Sequence, residues 1–360
     1  MTTTSSGRTP WWSWASPIFA WLVLIAAFLL GGLGVVTAAA CVALIATVFA
    51  AVYHAEVVAH RVGEPFGTIV LAVAVTVIEA ALIVSMMMTP GPDKDVLARD
   101  TVFAAVMIVC NGIVGLCLLV GGARHREQGF QVTGASAALA VLAALTVLSL
   151  VLPNYTLTTP GPQFSGPQLV YAGLASLVLY GSFIFVQTVR HRDYFLPLED
   201  NVETGAPPSD RASLTSLGLL IVCLVAVVLL AKSLTPALEQ AVEWLRAPKA
   251  FVGVVIAALV LLPEGTAALR AAQANRLQTS LNLALGSALA TIGLTIPVVA
   301  AVALILHQPL ALGLAPKEQV LLILTLVLGV ITLGTGRTTV LQGIVHLTIF
   351  ATFLFLSVVP

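Results

Sequence analysis

The chain has 360 residues, of which 59% are hydrophobic and 9% are charged, and its mean hydropathy is +1.05. A soluble domain of this length carries about a quarter charged residues, so the composition excludes a water-soluble globular fold and suits a lipid bilayer. The 16 basic and 16 acidic residues balance, which argues against nucleic-acid binding because that function needs a basic patch.

Apolar stretches long enough to cross a bilayer, which takes about 20 helical residues, recur along the whole chain. There are eleven, at residues 13–31, 33–53, 66–88, 100–122, 132–152, 168–190, 213–233, 249–271, 279–306, 317–335 and 338–358. They predict an all-α polytopic membrane protein with about eleven transmembrane helices. The stretch 234–247 is too polar to span, and we expect a separate amphipathic helix there at the outer membrane surface.

The basic residues of the loops predict the orientation, because cytoplasmic loops carry an excess of lysine and arginine. An N-terminus in the cytoplasm places ten basic residues inside: Arg8, Arg61, Arg124, Arg126, Arg190, Arg192, Arg211, Arg270, Arg276 and Arg337. It places six outside: Lys94, Arg99, Lys232, Arg246, Lys249 and Lys317. The sequence therefore favours a cytoplasmic N-terminus and, after eleven spans, a C-terminus on the other side.

A polar connection near the middle divides the chain into two halves of five spans each, once the first span is set aside. The predicted organisation is an N-terminal tail with a leading helix (1–31), a first five-helix repeat (32–190), a cytoplasmic acidic linker (191–212) and a second five-helix repeat (213–360). The linker is either a plain connection or a segment that meets cations before the transport site does.

Glu79 and Glu264 each lie near the centre of an otherwise apolar stretch, at equivalent places in the two halves. Because five spans separate the two stretches, they must cross the membrane in opposite directions. This pattern is typical of the inverted repeats of secondary transporters, whose substrate site lies near the middle of the membrane. We therefore expect the two carboxyl groups to come together there.

An ionised carboxylate is costly in this position, at about 2.5–3.5 kcal/mol for an aspartate at a helix centre. The spans offer few basic partners, and His346 in the last one is the main candidate. Since a low dielectric disfavours charge, we expect Glu79 and Glu264 to be protonated when empty and ionised when they hold a cation. Proton and cation then exclude one another, which is the chemistry of antiport. The alternative is that each glutamate merely forms a hydrogen bond between helices.

Pro263 and Gly265 flank the second glutamate. A proline inside a helix removes one hydrogen bond and frees a carbonyl, so we expect a helix break that offers backbone oxygens to a hard cation such as calcium. An ordinary proline kink without ion contact is the alternative.

Neutral oxygen ligands are predicted from neighbouring positions in the spans. The candidates are Thr76, Asn111, Asn282, Ser287 and Thr291. For the hydroxyl residues, helix packing explains the pattern equally well. The sequence has no Cys/His pair at metal-ligand spacing, no phosphate-binding loop and no hydrolase motif, so we predict neither a cofactor nor an enzyme.

Two long motifs carry a family resemblance. Residues 63–68 with Thr76-Val77-Ile78-Glu79 resemble the first signature repeat of the bacterial ChaA-type calcium/proton antiporters. The resemblance to the second signature repeat is carried by residues 263–265, 275–278, 280–283 and 286–297. The chain is thus similar, from about residue 60 to its end, to the calcium/cation antiporter superfamily.

The resemblance implies one leading helix and two inverted five-helix repeats in the bacterial inner membrane. It also implies that Glu79 and Glu264 alternate between binding protons and binding a cation. The proton gradient drives the export of that cation. Calcium is the usual substrate of the proton-exchanging branch, and ChaA-like members are also linked to sodium and potassium. Other relatives carry an asparagine just before the first acid and a glutamine in the second repeat, where Ile78 and Ala290 stand here.

Three functions remain open at this point. The first is calcium/proton antiport, with inorganic cations, protons and the lipid bilayer as the predicted partners and the oligomeric state left open. The second is the exchange of sodium or potassium for protons on the same fold. With Ile78 and Ala290 in place of the two amides, the coordination shell either has fewer ligands or is built from Asn111, Asn282 and Thr291. Selectivity for calcium is therefore open. The third is a passive cation channel.

Overall fold

The structure, a computed structural model, describes residues 10–30, 34–63, 66–88, 95–196, 208–244, 248 and 250–359. Within these ranges ten helices are long and apolar enough to cross a membrane, and a bent helix pair makes eleven. The predicted all-α polytopic fold is therefore confirmed, and the chain is a multi-pass membrane protein.

The helices follow the apolar stretches closely. In chain order they are α1 (Trp11–Leu30), α2 (Gly34–Val62), α3 (Phe66–Met87), α4 (Leu97–Met107), α5 (Val114–His125), α6 (Val132–Thr146), α7 (Gly166–Phe185), α8 (Asp210–Trp244), α9 (Ala250–Val260), α10 (Leu262–Gln273), α11 (Leu277–Leu306), α12 (Pro316–Leu333) and α13 (Val340–Val358). Three π-helical segments (Ile108–Ile113, Val147–Val151 and Val186–Arg190) and two 3₁₀ turns (Leu152–Tyr155 and Arg192–Phe195) continue or follow them. Two short strands, β1 (Gln128–Gly129) and β2 (Arg337–Thr338), pair antiparallel.

The chain forms two compact units. The first contains Met1–Ser85 and Val202–Gln240, and the second contains Met86–Asn201 and Ala241–Pro360. Each unit takes helices from both halves of the sequence, so the units and the predicted repeats divide the chain differently, and the repeat boundaries stay a prediction. The tail up to residue 9 and residues 197–207 of the predicted acidic linker lie outside the described residues.

In the first unit, α1 and α2 pack as an antiparallel pair joined by buried polar contacts. His54 Nε2 lies 3.1 Å from the Ser13 carbonyl oxygen, and the Thr47 hydroxyl lies 3.5 Å from the carbonyl oxygen of Ser16. These contacts satisfy side chains that would be costly to bury in a membrane without a partner. Arg61, in the last turn of α2, also forms an ion pair with Asp210, the first residue of α8.

The helix α8 corrects one prediction. The polar stretch after residue 233 does not form a separate surface helix, because α8 continues without interruption to Trp244. Its 35 residues extend roughly 50 Å at about 1.5 Å per residue, well beyond the hydrocarbon core of about 30 Å. Pro236 removes only one backbone donor, so the helix passes through it and carries the polar residues out of the apolar layer.

In the second unit, the continuous helix Leu97–His125 forms the core. In its most apolar stretch of 18 residues, 83% of the residues are buried. It contains α4, the π-helical segment Ile108–Ile113 and α5. Helix α13 packs on α5, α9 on α4, and α11 packs against α6, α7 and α10. Close packing of α13 on α5 depends on glycine, since a Cβ added at Gly343 would lie 2.7 Å from the Leu119 Cα.

Candidate ion-binding site

Glu79 lies near the middle of α3, in the first unit, and is 3% exposed. Thr76, one turn earlier, is also buried, and its hydroxyl donates to the Ala72 carbonyl at 2.8 Å. Because the single hydroxyl hydrogen is used by the helix, the Thr76 oxygen faces its surroundings as an acceptor. A carboxylate and an acceptor oxygen on adjacent turns suit a hard cation.

Glu264 lies in the second unit, directly after a helix break. Helices α9 and α10 meet at an angle of 57°, and Pro263 occupies the first turn of α10. The proline has no N–H to offer the carbonyl of Leu259, four residues earlier, which explains why the helix bends here. Glu264 therefore lies in the first turn of a new helix, directly after the break.

The break changes the electrostatics around this glutamate. The N-terminus of a helix carries a partial positive charge, worth about 0.3–1 kcal/mol to a nearby anion and up to about 2 kcal/mol when partly buried. Glu264 is half-buried at this position. A discontinuous helix with an ionisable group at its break is a recurrent feature of ion sites in secondary transporters.

Helix α11 carries hydroxyl groups about as many residues from the α10–α11 turn as Glu264. It packs antiparallel to α10 after a short turn, with Glu264 eleven residues before Asn275 and Ser287 twelve residues after it. Ser287, Thr291 and Thr295 are spaced by four residues and thus share one face of the helix. Among the described residues, no hydrogen-bond partner is found for the buried hydroxyl oxygens of Ser287 and Thr295.

Asn282 lies one turn further from Glu264 and has other partners. Its amide nitrogen donates to the Phe195 carbonyl at 2.6 Å, and its oxygen accepts from Gln278 at 3.0 Å. Gln278 in turn accepts from the backbone N–H of Gln131. These bonds fasten the turn Arg192–Phe195 to α11, so the geometry gives Asn282 a structural role.

Replacing Asn282 with alanine tests this role. We expect the variant to lose about 1–3 kcal/mol of stability, because the Phe195 carbonyl and the Gln278 amide lose their partner. The apparent affinity for the transported cation should stay within about twofold of the parent value. Thermal unfolding and the cation dependence of transport measure the two effects, and an affinity loss without a stability loss would instead make Asn282 a ligand.

Asn111 lies in the π-helical segment and is fully buried. Its amide nitrogen donates to the Thr325 hydroxyl at 2.8 Å, and its oxygen lies 3.1 Å from His346 Nδ1. The other ring nitrogen of His346 lies 2.9 Å from the Thr332 hydroxyl. Both polar ends of Asn111 thus have hydrogen-bond partners inside the protein.

The sequence interpretation missed this network of Asn111, Thr325, Thr332 and His346. The signal was present, since Thr325 and Thr332 are seven residues apart on α12 and so share a face. His346 is also a histidine inside a span. What linked them to Asn111 was helix packing, which no local pattern reveals.

Glu79 and Glu264 belong to different units, so their predicted convergence stays a prediction. No group of three or more His, Cys, Asp or Glu side chains within the described residues could hold a metal ion.

A family model described as sodium/calcium exchanger protein matches residues 23–189 and 215–359. The chain belongs to this family. Two curated relatives cover nearly its whole length. An ionic transporter, y4hA, of Sinorhizobium fredii is 54% identical over 99% of this chain and 98% of its own. The sodium-potassium/proton antiporter ChaA of Escherichia coli is 39% identical over 94% of both chains.

Two solved structures share the fold of this chain. The native structure of YfkE has a TM-score of 0.72 and 16% identity, covering 97% of this chain and all of its own. The H⁺/Ca²⁺ exchanger CAX has a TM-score of 0.72 and 13% identity, covering 95% of this chain and 87% of its own. At these identities the likeness establishes the fold, and the predicted resemblance to cation antiporters is confirmed by the family match.

Proposed function

We propose that the chain is a secondary transporter that carries a cation across the bacterial inner membrane in exchange for protons. The cation and the protons compete for the carboxyl groups of Glu79 and Glu264. The N-terminus faces the cytoplasm in this proposal, as the distribution of basic residues favours, and the direction of transport is export driven by the proton gradient.

The placement of Glu264 is the observation that carries the proposal. A glutamate in the first turn after a 57° break combines an exchangeable carboxyl group with a helix N-terminus and a backbone carbonyl released by Pro263. Gly265 permits close packing here, since a Cβ added to it would lie 3.2 Å from the Ile113 side chain. Such a site can hold either a proton or a cation, whereas a carboxyl group that served only packing would not need the break.

Hydroxyl oxygens complete the proposed coordination. On α11 these belong to Ser287 and Thr291, and on α3 to Thr76. We leave Asn282 and Asn111 out of the shell, because their amides bond to Phe195, Gln278, Thr325 and His346. The two glutamates then supply the negative charge, and two negative charges balance one divalent ion, which makes calcium the first candidate.

Sodium or potassium is the second candidate. The relative that is 39% identical over nearly the whole chain is named a sodium-potassium/proton antiporter, and relatives at 24–25% identity are named Ca²⁺/H⁺ antiporters. Both substrates fit a site of carboxylates and neutral oxygens, and they differ in the charge that must be balanced.

Transport assays separate these candidates. Everted membrane vesicles containing the chain, energised to an acidic interior and loaded with a pH-sensitive dye, should release protons when calcium is added. Vesicles without the protein are the control. Proton release on adding sodium or potassium, but not on adding calcium, would contradict calcium as the substrate and support the second candidate. A cation flux that moves no protons would refute antiport and indicate a channel.

A further inference from the structure

Three loops at one end of the second unit are tied together by hydrogen bonds. The Gln128 amide nitrogen donates to the Ala272 carbonyl at 2.9 Å and to the Asn275 side-chain oxygen at 3.0 Å. His125 Nε2 lies 2.9 Å from the Gln273 carbonyl oxygen. These bonds fasten the loop after α5 to the turn between α10 and α11, and the pairing of β1 with β2 fastens it to the loop before α13. The three loops therefore form one surface.

Five exposed arginines lie on this surface, each within three residues of a contact that joins the loops. They are Arg124, Arg126, Arg270, Arg276 and Arg337, and we call them the arginine surface. The three loop segments, 124–131, 270–278 and 334–339, contain one acidic residue, Glu127. Five positive charges and one negative charge give these segments a formal charge of +4, with histidine counted as neutral.

Four of the five arginines have no ion-pair partner within the described ranges. The fifth, Arg337, lies 3.6 Å from the Glu127 carboxylate, and both side chains are exposed, so solvent weakens this pair. The guanidinium groups of the other four can therefore bind an anion from outside the protein. A guanidinium group presents five N–H donors in a planar fork that matches the geometry of a phosphate.

Lysine does not occur on the arginine surface. The chain has four lysines, and all of them fall at positions predicted to lie on the opposite side of the membrane: Lys94, Lys232, Lys249 and Lys317. Since lysine and arginine both set the orientation of a membrane protein, orientation alone does not explain this separation. The two side chains differ in chemistry, because arginine can form two parallel hydrogen bonds to one phosphate whereas lysine acts as a point charge.

Arg126 occupies a backbone position that favours glycine. Its φ is 66° and its ψ is −57°, and the Glu127 N–H donates to the His125 carbonyl at 2.8 Å. These values describe a γ-turn of the rare positive-φ form, which is strained. Glycine adopts positive φ more readily, so local stability does not explain an arginine here. Strained residues of this kind cluster at functional sites and ligand clamps.

The arginine surface lies where membrane spans end. Arg124 belongs to the last turn of α5 and Arg270 to the last turn of α10. Long basic side chains at such positions extend to the level of the lipid headgroups. In the proposed orientation this end faces the cytoplasm, where anionic lipids give the leaflet a negative surface potential. A basic surface at the end of apolar helices thus suits the phosphate of a lipid better than a soluble polyanion.

We propose that the arginine surface binds the phosphate groups of anionic phospholipids. Recognition depends on the guanidinium groups and exceeds the general attraction between a basic surface and a charged leaflet. Because Arg270 lies on the helix that carries Glu264, a bound lipid also holds the far end of that helix in place. This effect on exchange rests on the proposed function, whereas lipid binding does not.

Native mass spectrometry of the purified chain in detergent tests lipid binding without a transport assay. Phosphatidylglycerol, which is anionic, should bind at least about tenfold more tightly than zwitterionic phosphatidylcholine, because each basic residue near an anionic lipid contributes roughly a factor of five. Equal affinity for the two lipids overturns the proposal. Displacement of phosphatidylglycerol by an equal concentration of inorganic phosphate also overturns it, because the surface would then bind a soluble anion.

Matched variants separate the guanidinium group from its charge. Replacing Arg126 and Arg276 together with glutamine should weaken phosphatidylglycerol binding at least about tenfold. Replacing the same pair with lysine keeps the charge, and with it the orientation, and should weaken binding at least about threefold. Arg211→Gln is the control and should bind the lipid as the parent does, because Arg211 is exposed on the same predicted side but lies outside the arginine surface. Lysine variants that bind like the parent overturn the proposal.

Arg126→Gly separates lipid binding from folding. Its melting temperature should equal or exceed that of the parent, because glycine relieves the strained γ-turn. Its affinity for phosphatidylglycerol should fall at least about threefold, because one guanidinium group is lost. A lower melting temperature together with unchanged lipid affinity would contradict the role assigned to Arg126.

Exchange in reconstituted vesicles tests the consequence for transport. The parent should exchange at least about twofold faster in vesicles that contain phosphatidylglycerol than in phosphatidylcholine alone, and the lysine double variant should lose this difference. If the parent binds the anionic lipid but exchanges nothing in either vesicle, the proposed function fails and the lipid site stands. If exchange is measurable and the lipid does not bind, the lipid site fails alone.

Discussion

Replacing either glutamate with glutamine is expected to abolish cation/proton exchange. Glu264→Gln and Glu79→Gln keep the size of the side chain but remove the group that binds the proton or balances the cation. Exchange in everted vesicles should fall more than about tenfold, towards the level of vesicles without the protein. Membrane insertion should be normal, because an uncharged amide is cheaper in the bilayer than a carboxylate.

Two further variants sharpen this experiment. Glu264→Asp keeps the charge but shortens the side chain by one methylene, so it should retain partial exchange with a weaker apparent cation affinity. Glu127→Gln is the matched control, because Glu127 is exposed and lies 3.6 Å from Arg337 in an ion pair outside the candidate site. Undiminished exchange in a Glu→Gln variant would remove that glutamate from the mechanism.

Gly343→Ala is expected to cause the largest loss of stability. The added Cβ would lie 2.7 Å from the Leu119 Cα and 2.9 Å from the Gly115 carbonyl oxygen. These are backbone atoms of α5, which cannot turn away as a flexible side chain can, so α13 must move. Overpacking usually costs about 1–3 kcal/mol, and this contact should reach the upper part of that range. Thermal unfolding of the purified protein measures the effect.

Gly181→Ala is the control for this substitution. No heavy atom lies within 4 Å of a Cβ placed at Gly181 on α7, and alanine favours a helix more than glycine does by about 1 kcal/mol. This variant should melt at the parent temperature or slightly above it. An unchanged melting temperature for Gly343→Ala would show that α13 and α5 can separate at little cost.

The helices and the break at Glu264 were accessible to sequence reasoning because both follow from local properties. The length and hydropathy of a span are read from its own residues, and the missing N–H of Pro263 acts within one turn. Prediction failed where local signals were ambiguous. The polar residues after 233 suggested a separate helix, but α8 continues because polarity decides where a helix leaves the membrane and not where it ends.

The candidate site shows the same division. The cost of a carboxylate among apolar residues singled out Glu79 and Glu264 without any knowledge of their neighbours. Asn111 and Asn282 were predicted as ion ligands from their chemistry alone, and that role stays a prediction. Their partners in the structure are Thr325, His346, Gln278 and the Phe195 carbonyl.

By itself, the sequence determined that this protein is a multi-pass membrane protein with one glutamate near the centre of an apolar stretch in each half and a proline beside the second. Only the tertiary structure decided what each buried polar group bonds to. Asn111 and His346 are 235 residues apart in the chain, and they meet because α13 packs on α5. A hydrogen bond depends on positions in space to within a few tenths of an ångström, and spacing along the chain does not contain that information.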